Sequence, residues 1–146
     1  YENAFAAVPT LVSFIPMLMG TGGNCGSQSS TLIIRGMAVD DIRMKDFFRV
    51  IWVEFRVSLL LSFSLAIVNG IRIMIMYRDI VMALVIALSL IGIIIMSELI
   101  GCMLPMIAKK LKMDPAVMAA PLITTIIDAC AILIYFNIAC RFFNIA

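Results

Sequence analysis

Four long apolar stretches, separated by short polar connections, run through this chain of 146 residues. They predict membrane-spanning helices at about residues 4–34, 50–73, 80–106 and 116–140, because about 20 apolar residues in a helix cross the hydrocarbon core of a bilayer. Asp114-Pro115 precedes the last stretch, and an Asp cap followed by Pro is typical of a helix start. The predicted fold class is therefore all-α, a polytopic transmembrane helix bundle forming one domain over residues 1–146.

A polar segment interrupts the first apolar stretch between Gly20 and Thr31. The segment holds four of the eight glycines and no charge. Glycine-rich polar backbone is not stable against lipid, so we expect the first helix to be interrupted here, with freed carbonyls lining a cavity or path. The alternative is close helix packing through the Gly22-x-x-x-Gly26 spacing. Packing alone does not account for the polar side chains of Asn24, Gln28 and Thr31.

The composition confirms the membrane environment and removes several function classes. Hydrophobic residues make up 64% and charged residues 14%, against about half and a quarter in soluble domains. A net charge of +2 is too small to suggest nucleic acid. His is absent, which excludes imidazole zinc sites and Ser-His or Cys-His dyads, so we do not expect an enzyme. The cysteines form no CxxC pair and are expected to be reduced and buried.

The basic residues predict how the chain sits in the bilayer. Lys and Arg concentrate in the loops at 35–49 and 107–114, whereas the opposite ends of the spans carry only Arg72, Arg78 and Arg141. Cytoplasmic loops are enriched in Lys and Arg, so both basic loops are expected on the cytoplasmic side, with both chain ends outside. The acidic and basic residues of 39–48 are interpreted as a solvated surface segment. An outside amino terminus suggests a further span upstream.

Carboxylates within the apolar stretches are the candidate functional groups. Asp128 lies about eleven residues, or roughly 16 Å, into the last span and follows Thr124 and Thr125 by one turn. Burying an Asp at a helix centre costs about 2.5–3.5 kcal/mol, so it indicates an ion path or a structural bond to another helix. Glu54 could lie at a pore mouth or reach to water, and Glu98 is expected to make an interhelical bond.

The potential ligands are oxygens, which hard cations prefer. One midplane carboxylate per chain is few for a fully dehydrated ion. Mg²⁺ keeps several of its waters and is often held by only one or two carboxylates. Two chains related by a twofold axis would bring two copies of Asp128 to one path. The residues alone therefore indicate an oxygen-lined cation path and leave the ion open.

Two motifs resemble those of the MgtE-type magnesium transporters. The first runs from Pro16 through Gly20-Thr21-Gly22-Gly23-Asn24 to Gln28 and continues to Arg35. The second runs from Asp114-Pro115-Ala116 through Pro121 and Thr124-Thr125 to Asp128. The resemblance extends over essentially the whole chain, and the two motifs together are specific.

The resemblance implies a homodimeric magnesium channel in the plasma membrane, of bacterial type, with five helices per chain. This chain matches the last four helices, without the upstream span and the cytoplasmic regulatory domains. Mg²⁺ is the implied bound and transported ion. The implied metal site comprises Asp128, Gly20, Gly23 and Thr124. The implied pore-lining residues are Asn24, Ser27, Thr31 and Glu54. Transport of another divalent cation, or a proton- or sodium-coupled carrier, is the alternative.

Overall fold

The described part of the chain, in a computed structural model, comprises residues 9–115 and 120–143. It is helical without strands, which confirms the predicted fold class. A 3₁₀ helix at Pro9–Phe14 leads directly into the first long helix, and a second one at Met44–Asp46 leads into the next. The long helices are α1 (Ile15–Ala38), α2 (Phe47–Tyr77), α3 (Ile80–Lys110) and α4 (Ala120–Phe142).

Three of these elements are long and apolar enough to cross a membrane: Met44–Tyr77, Ile80–Lys110 and Pro121–Phe142. Helix α1 is not among them, and its polar segment is the reason, because it dilutes the apolar residues along the helix. The number of four crossings therefore stays a prediction. The predicted bounds 4 and 116 lie outside the described residues.

The predicted interruption of the first helix is wrong, because α1 runs unbroken from Ile15 to Ala38. Pro16 lies in its first turn, where a missing N–H costs nothing. The hydroxyl of Thr21 donates to the Met17 carbonyl at 2.8 Å, which satisfies it within the helix. Contacts with other helices offset the low helix propensity of the glycines, so the segment has no need to unwind.

Those contacts are made by the glycines on the inner face of α1. A Cβ on Gly22 would lie 2.7 Å from Ile93 Cγ2 and 3.1 Å from Ile127 Cγ2. A Cβ on Gly101 would overlap the carbonyl oxygen of Gly26, so α1 and α3 cross with their backbones in direct contact. The packing role considered for the GxxxG spacing is thus present in the structure.

The turn between α2 and α3 has a clear local cause. Arg78 ends α2 in the left-handed region with φ of 52°. Asp79 then caps α3, with its Oδ1 accepting from the backbone N–H groups of Val81 and Met82 at 2.9 and 3.1 Å. An Asp cap of this kind stabilises a helix by about 1 kcal/mol. Helix α3 continues past Pro105 to Lys110, beyond the predicted end at 106.

Helix α3 forms the centre of the bundle and packs against each of the other three. Its inner residues Val85, Ile86, Leu90, Ile93 and Ile94 are fully buried. Helix α4 is tied to the start of the chain by the Tyr135 hydroxyl, which donates to the Leu11 carbonyl at 2.8 Å. The cysteines are free, as expected, and two of them are buried.

Both basic loops lie at the same end of the bundle. The Lys109 ammonium donates to the Met37 carbonyl at 3.4 Å, which joins the end of α3 to the end of α1. A cavity lined by Ile34, Lys109 and Asp114 lies between the same two loops. The common location agrees with the charge pattern, and the assignment of this end to the cytoplasm stays a prediction.

The crossing of α1 and α3 should be the most sensitive point of the fold. We expect Gly101→Ala to lower the free energy of unfolding by about 1–3 kcal/mol, since the added methyl must displace the backbone at Gly26. Gly70→Ala is the matched control in α2, where no atom lies within 4 Å of the new Cβ. It should stabilise the protein by about 0.5–1 kcal/mol through helix propensity. Thermal unfolding in detergent measures the stability of the two variants. Equal changes in Gly101→Ala and Gly70→Ala would contradict the close crossing of α1 and α3.

Candidate functional site

A stripe of polar and small residues runs along the outer face of α1. Its members recur at intervals of three or four residues, which places them on one side of a helix. They are exposed, whereas Gly22, Cys25, Gly26 and Ser29 on the opposite side are buried. The exposed members are Pro16, Gly20, Asn24, Gln28 and Thr31. We call them the α1 stripe. The inner face of the glycine-rich segment thus packs against other helices, whereas the outer face presents polar groups.

Asp128 lies beside the α1 stripe. A Cβ on Gly23 would be 3.4 Å from Thr124 Cγ2 and 3.9 Å from the Asp128 Oδ1 atom. Thr124 and Asp128 are one turn apart on α4, so both reach the same side of α1. The absence of a side chain at Gly23 is what lets the carboxylate approach this helix. Packing thus joins the two sequence motifs, which are about a hundred residues apart, in one place.

The Asp128 carboxylate is available to a ligand. It is partly buried, and within residues 9–115 and 120–143 it has no hydrogen-bond donor and no basic partner. The neighbouring hydroxyls of Thr124 and Thr125 donate back to the Pro121 carbonyl, at 3.1 and 2.8 Å. A membrane carboxylate without a partner is costly, which favours an ion or ordered water beside it over a purely structural role.

The backbone carbonyls of the candidate metal site are not freed by an interruption. Gly20 and Gly23 lie within the continuous helix α1, and the Thr31 hydroxyl donates to the Ser27 carbonyl at 2.8 Å. A helical carbonyl keeps one lone pair after its helical bond. At Gly20, where nothing lies within 4 Å of the Cβ position, the backbone is open on the exposed side.

Glu54 and Glu98 form a second, separate acidic group. The Ser29 hydroxyl lies 2.9 Å from Glu54 Oε2, to which it donates, and 3.2 Å from the backbone carbonyl oxygen of Glu98. The carboxyl groups of Glu54 and Glu98 are close neighbours, and only 5% of Glu98 is exposed. Glu98 thus accepts an interhelical hydrogen bond through its backbone carbonyl, and the bond expected of its side chain stays a prediction. Ser29 is a partner that sequence reasoning missed, because no spacing along one helix signals it.

Glu54 also faces water. It lines a cavity of about 320 Å³ at the basic end of the bundle, together with Asp41, Asp46 and Arg49. Its carboxyl group therefore joins the buried Ser29 and Glu98 to an open, polar mouth. The cavity agrees with both positions considered for Glu54, so its role at a pore mouth stays a prediction.

The structure thus brings the predicted site residues together in part. Gly23, Thr124 and Asp128 are neighbours, and Gly20, Asn24 and Thr31 share the face beside them, with Ser27 partly buried at its edge. Glu54 belongs to the other group. Gln28, which the sequence analysis also singled out, continues the α1 stripe one turn after Asn24. In the described part of the chain, no three acidic or thiol side chains gather closely enough to hold a metal ion.

The fold and this site define a class, a polytopic helical membrane protein with a carboxylate beside a polar helix face. The chain belongs to the MgtE family, whose model is described as a divalent cation transporter and matches residues 15–138. The predicted family resemblance is therefore confirmed. Together with its helices, the bacterial relatives described next support a multi-pass protein of the plasma membrane.

Three curated relatives are similar over nearly the whole chain. Magnesium transporter MgtE of Thermus thermophilus is 38% identical over 141 residues, which cover 95% of this chain and 31% of the relative. The protein of the same name from Bacillus subtilis is 36% identical, and the match covers 99% of this chain and 32% of the relative. The protein of that name from Enterococcus faecalis is 35% identical, and the match covers 97% of this chain and 31% of the relative. The chain thus spans about a third of the length of these relatives.

The hydrogen bond from Ser29 to Glu54 joins α1 to α2 and should stabilise the fold. We expect Ser29→Ala to lower the free energy of unfolding by about 1 kcal/mol, because the partly buried Glu54 carboxylate loses a donor. Ser64→Ala is the matched control, since that exposed hydroxyl donates only to the Leu60 carbonyl within its own helix. Its effect should stay within about 0.5 kcal/mol. Equal changes in the free energy of unfolding in Ser29→Ala and Ser64→Ala would show that the interhelical hydrogen bond does not stabilise the fold.

Proposed function

We propose that this chain is the pore domain of a magnesium transporter and that two copies of it form the conducting path. In this proposal Asp128 is the carboxylate that binds the cation. The observation that carries it is the juxtaposition of an unpartnered membrane carboxylate with an exposed, uncharged polar stripe. The relatives named as magnesium transporters support the choice of ion.

The exposed position of the α1 stripe supports the homodimer. Polar side chains such as Asn24 and Gln28 are not stable against lipid tails, so another surface or water must cover them. A second copy about a twofold axis would place two stripes face to face. Each chain supplies one carboxylate, and two copies of Asp128 match the two charges of a divalent ion.

The chemistry of the lining favours a hydrated ion. Mg²⁺ gives up its waters reluctantly, so oxygens that accept from those waters suit it better than a tight dehydrated cage. Such oxygens are available on the carbonyls of Gly20, Gly23 and Thr124, each of which keeps a second lone pair within its helix. The side chains of Asn24, Ser27 and Thr31 would continue the path toward the basic end, where the cavity lined by Glu54 opens on the Ser29 side of α1.

The alternative is a transporter of another divalent cation, or a carrier coupled to protons or sodium. Both would use the same carboxylate, so the site alone does not separate them. Flux through the reconstituted protein, with magnesium in competition against calcium, manganese, cobalt and sodium, distinguishes these possibilities. Transport that is unaffected by magnesium would reject the proposed ion.

Asp128→Asn should abolish or severely reduce magnesium uptake while the protein still folds. At an effective dielectric constant of about 20, one charge acting on a divalent ion at roughly 5 Å contributes about 7 kcal/mol before desolvation is subtracted. A net remainder of only about 1.4 kcal/mol changes binding tenfold. The readout is uptake into proteoliposomes, with unfolding temperature as a check on folding.

Two further variants provide comparisons for the uptake measured with Asp128→Asn. Asp40→Asn removes an exposed carboxylate that lines neither the α1 stripe nor the cavity beside Glu54, and it should leave uptake near the wild-type rate, because its ion pair with Arg43 is exposed as well. Glu54→Gln should reduce uptake less than Asp128→Asn, because water in the mouth cavity screens its charge. Near-normal magnesium uptake by a well-folded Asp128→Asn protein would contradict the proposed role of Asp128 in binding the cation.

Cysteine cross-linking tests the dimer. With the partly buried Cys130 and Cys140 replaced by alanine, we expect Asn24→Cys to form a disulfide between two copies in the membrane, because the stripes face each other. Phe63→Cys, which is equally exposed but lies on the apolar outer face of α2, is the control and should stay monomeric. Cross-linking at Phe63 and none at Asn24 would place the contact between copies elsewhere.

A further inference from the structure

A second cavity lies at the basic end of the bundle, away from Asp128 and the α1 stripe. Its volume is about 400 Å³, and it opens between the beginning of α2 and the end of α3. Four apolar side chains and one lysine line it. They are Met44, Phe47, Phe48, Ile107 and Lys110.

One wall of this cavity is firmly supported. Met44 and Phe47 pack against a buried cluster that includes Met37 and Met106, so their positions are set by the core. The outer wall is open, since 83% of Phe48 and 38% of Ile107 is exposed. The rings of Phe47 and Phe48 meet edge to face with centroids 5.5 Å apart. The cavity is therefore a preformed apolar surface accessible from outside.

The cavity is expected at the level of the lipid headgroups. Both helices that form it are long and apolar enough to cross the membrane, and it lies where α2 begins and α3 ends. Trp52, one to two turns into α2, is 60% exposed. Exposed Trp residues on membrane helices mark the boundary between headgroups and acyl chains. An apolar cavity at this level is in contact with lipid.

The charge at the rim of the cavity is entirely positive. Within residues 9–115 and 120–143, no acidic side chain pairs with Lys110, and the ion pair present joins Arg43 to Asp40 in the preceding loop. Lys112 is also exposed and unpaired. The nearest acid in the 3₁₀ helix, Asp46, lines the other cavity. A ligand that fits must therefore combine a negative group with an apolar body.

We propose that this cavity is a binding site for an anionic phospholipid. The phosphate pairs with the Lys110 ammonium, and the upper part of an acyl chain lies against Phe47, Phe48 and Ile107. Basic pockets between membrane helices favour anionic headgroups in this way. A second copy of this chain is the competing occupant, but its docking would enclose the Lys110 charge without an observed partner.

Lipid titration of the purified protein in detergent, followed by native mass spectrometry, tests the site. The probes are phosphatidylglycerol and phosphatidylcholine of identical acyl chains. We expect the anionic lipid to bind more tightly, and Lys110→Gln to weaken it about fivefold while leaving the zwitterionic lipid unchanged. Lys112→Gln is the matched control, because this lysine lies at the same end but outside the cavity, and it should change binding less than twofold.

A second variant tests the apolar part of the site. Ile107→Trp fills the cavity from its exposed wall and should weaken both lipids, and unfolding temperature shows whether the variant folds. If Ile107→Trp does not fold, the comparison of lipid binding by Lys110→Gln and Lys112→Gln tests the proposal instead. Equal binding of the two lipids, or equal losses in Lys110→Gln and Lys112→Gln, would overturn the proposal in favour of unspecific surface charge. A disulfide between two copies carrying Ile107→Cys would overturn it in favour of a protein contact. None of these readouts depends on ion transport.

Discussion

The direct backbone contact between α1 and α3 is the constraint on which the rest of the structure depends. It exists because Gly26 and Gly101 have no side chains where the helices cross. Close approach gives α1 enough contact to remain helical through a glycine-rich segment that would be marginal alone. It also sets the rotation of α1 about its axis, which directs the polar residues outward. The packing of glycines and the exposure of Asn24 are therefore consequences of one arrangement.

Asp128 and the pair formed by Glu54 and Glu98 lie in different environments within the bundle. Glu98 is almost completely enclosed, and the Ser29 hydroxyl donates to the Glu54 carboxylate and to the Glu98 backbone carbonyl. Asp128 has no donor among the described residues and lies next to an open polar face. An enclosed carboxyl group is held among the helices, whereas one beside an open polar face can be stabilised by something from outside the chain. This difference supports the proposal that Asp128, rather than Glu98, binds the ion.

The basic end of the bundle combines three environments within a short distance. A mouth with carboxylates from Asp41, Asp46 and Glu54 leads inward toward Ser29. An apolar cavity with Lys110 at its rim faces the lipid. The Lys109 contact with the Met37 carbonyl joins the loops between them. Three carboxylates and Arg49 thus line the first cavity, whereas a lysine is the charged residue lining the second.

Hydrophobic patterning alone determined the helical membrane class and approximate helix bounds, because burial in lipid requires long apolar stretches with internally satisfied backbones. The two motifs around Gly20 and Asp128 were also sufficient to identify the family. The continuity of α1 was not predictable, since it depends on contacts with Ile93, Gly101 and Ile127 that lie far along the chain. The pairing of Glu54 with Ser29 and Glu98 likewise joins three helices. Only the tertiary structure decides which polar groups find partners inside the protein and which are left for a ligand.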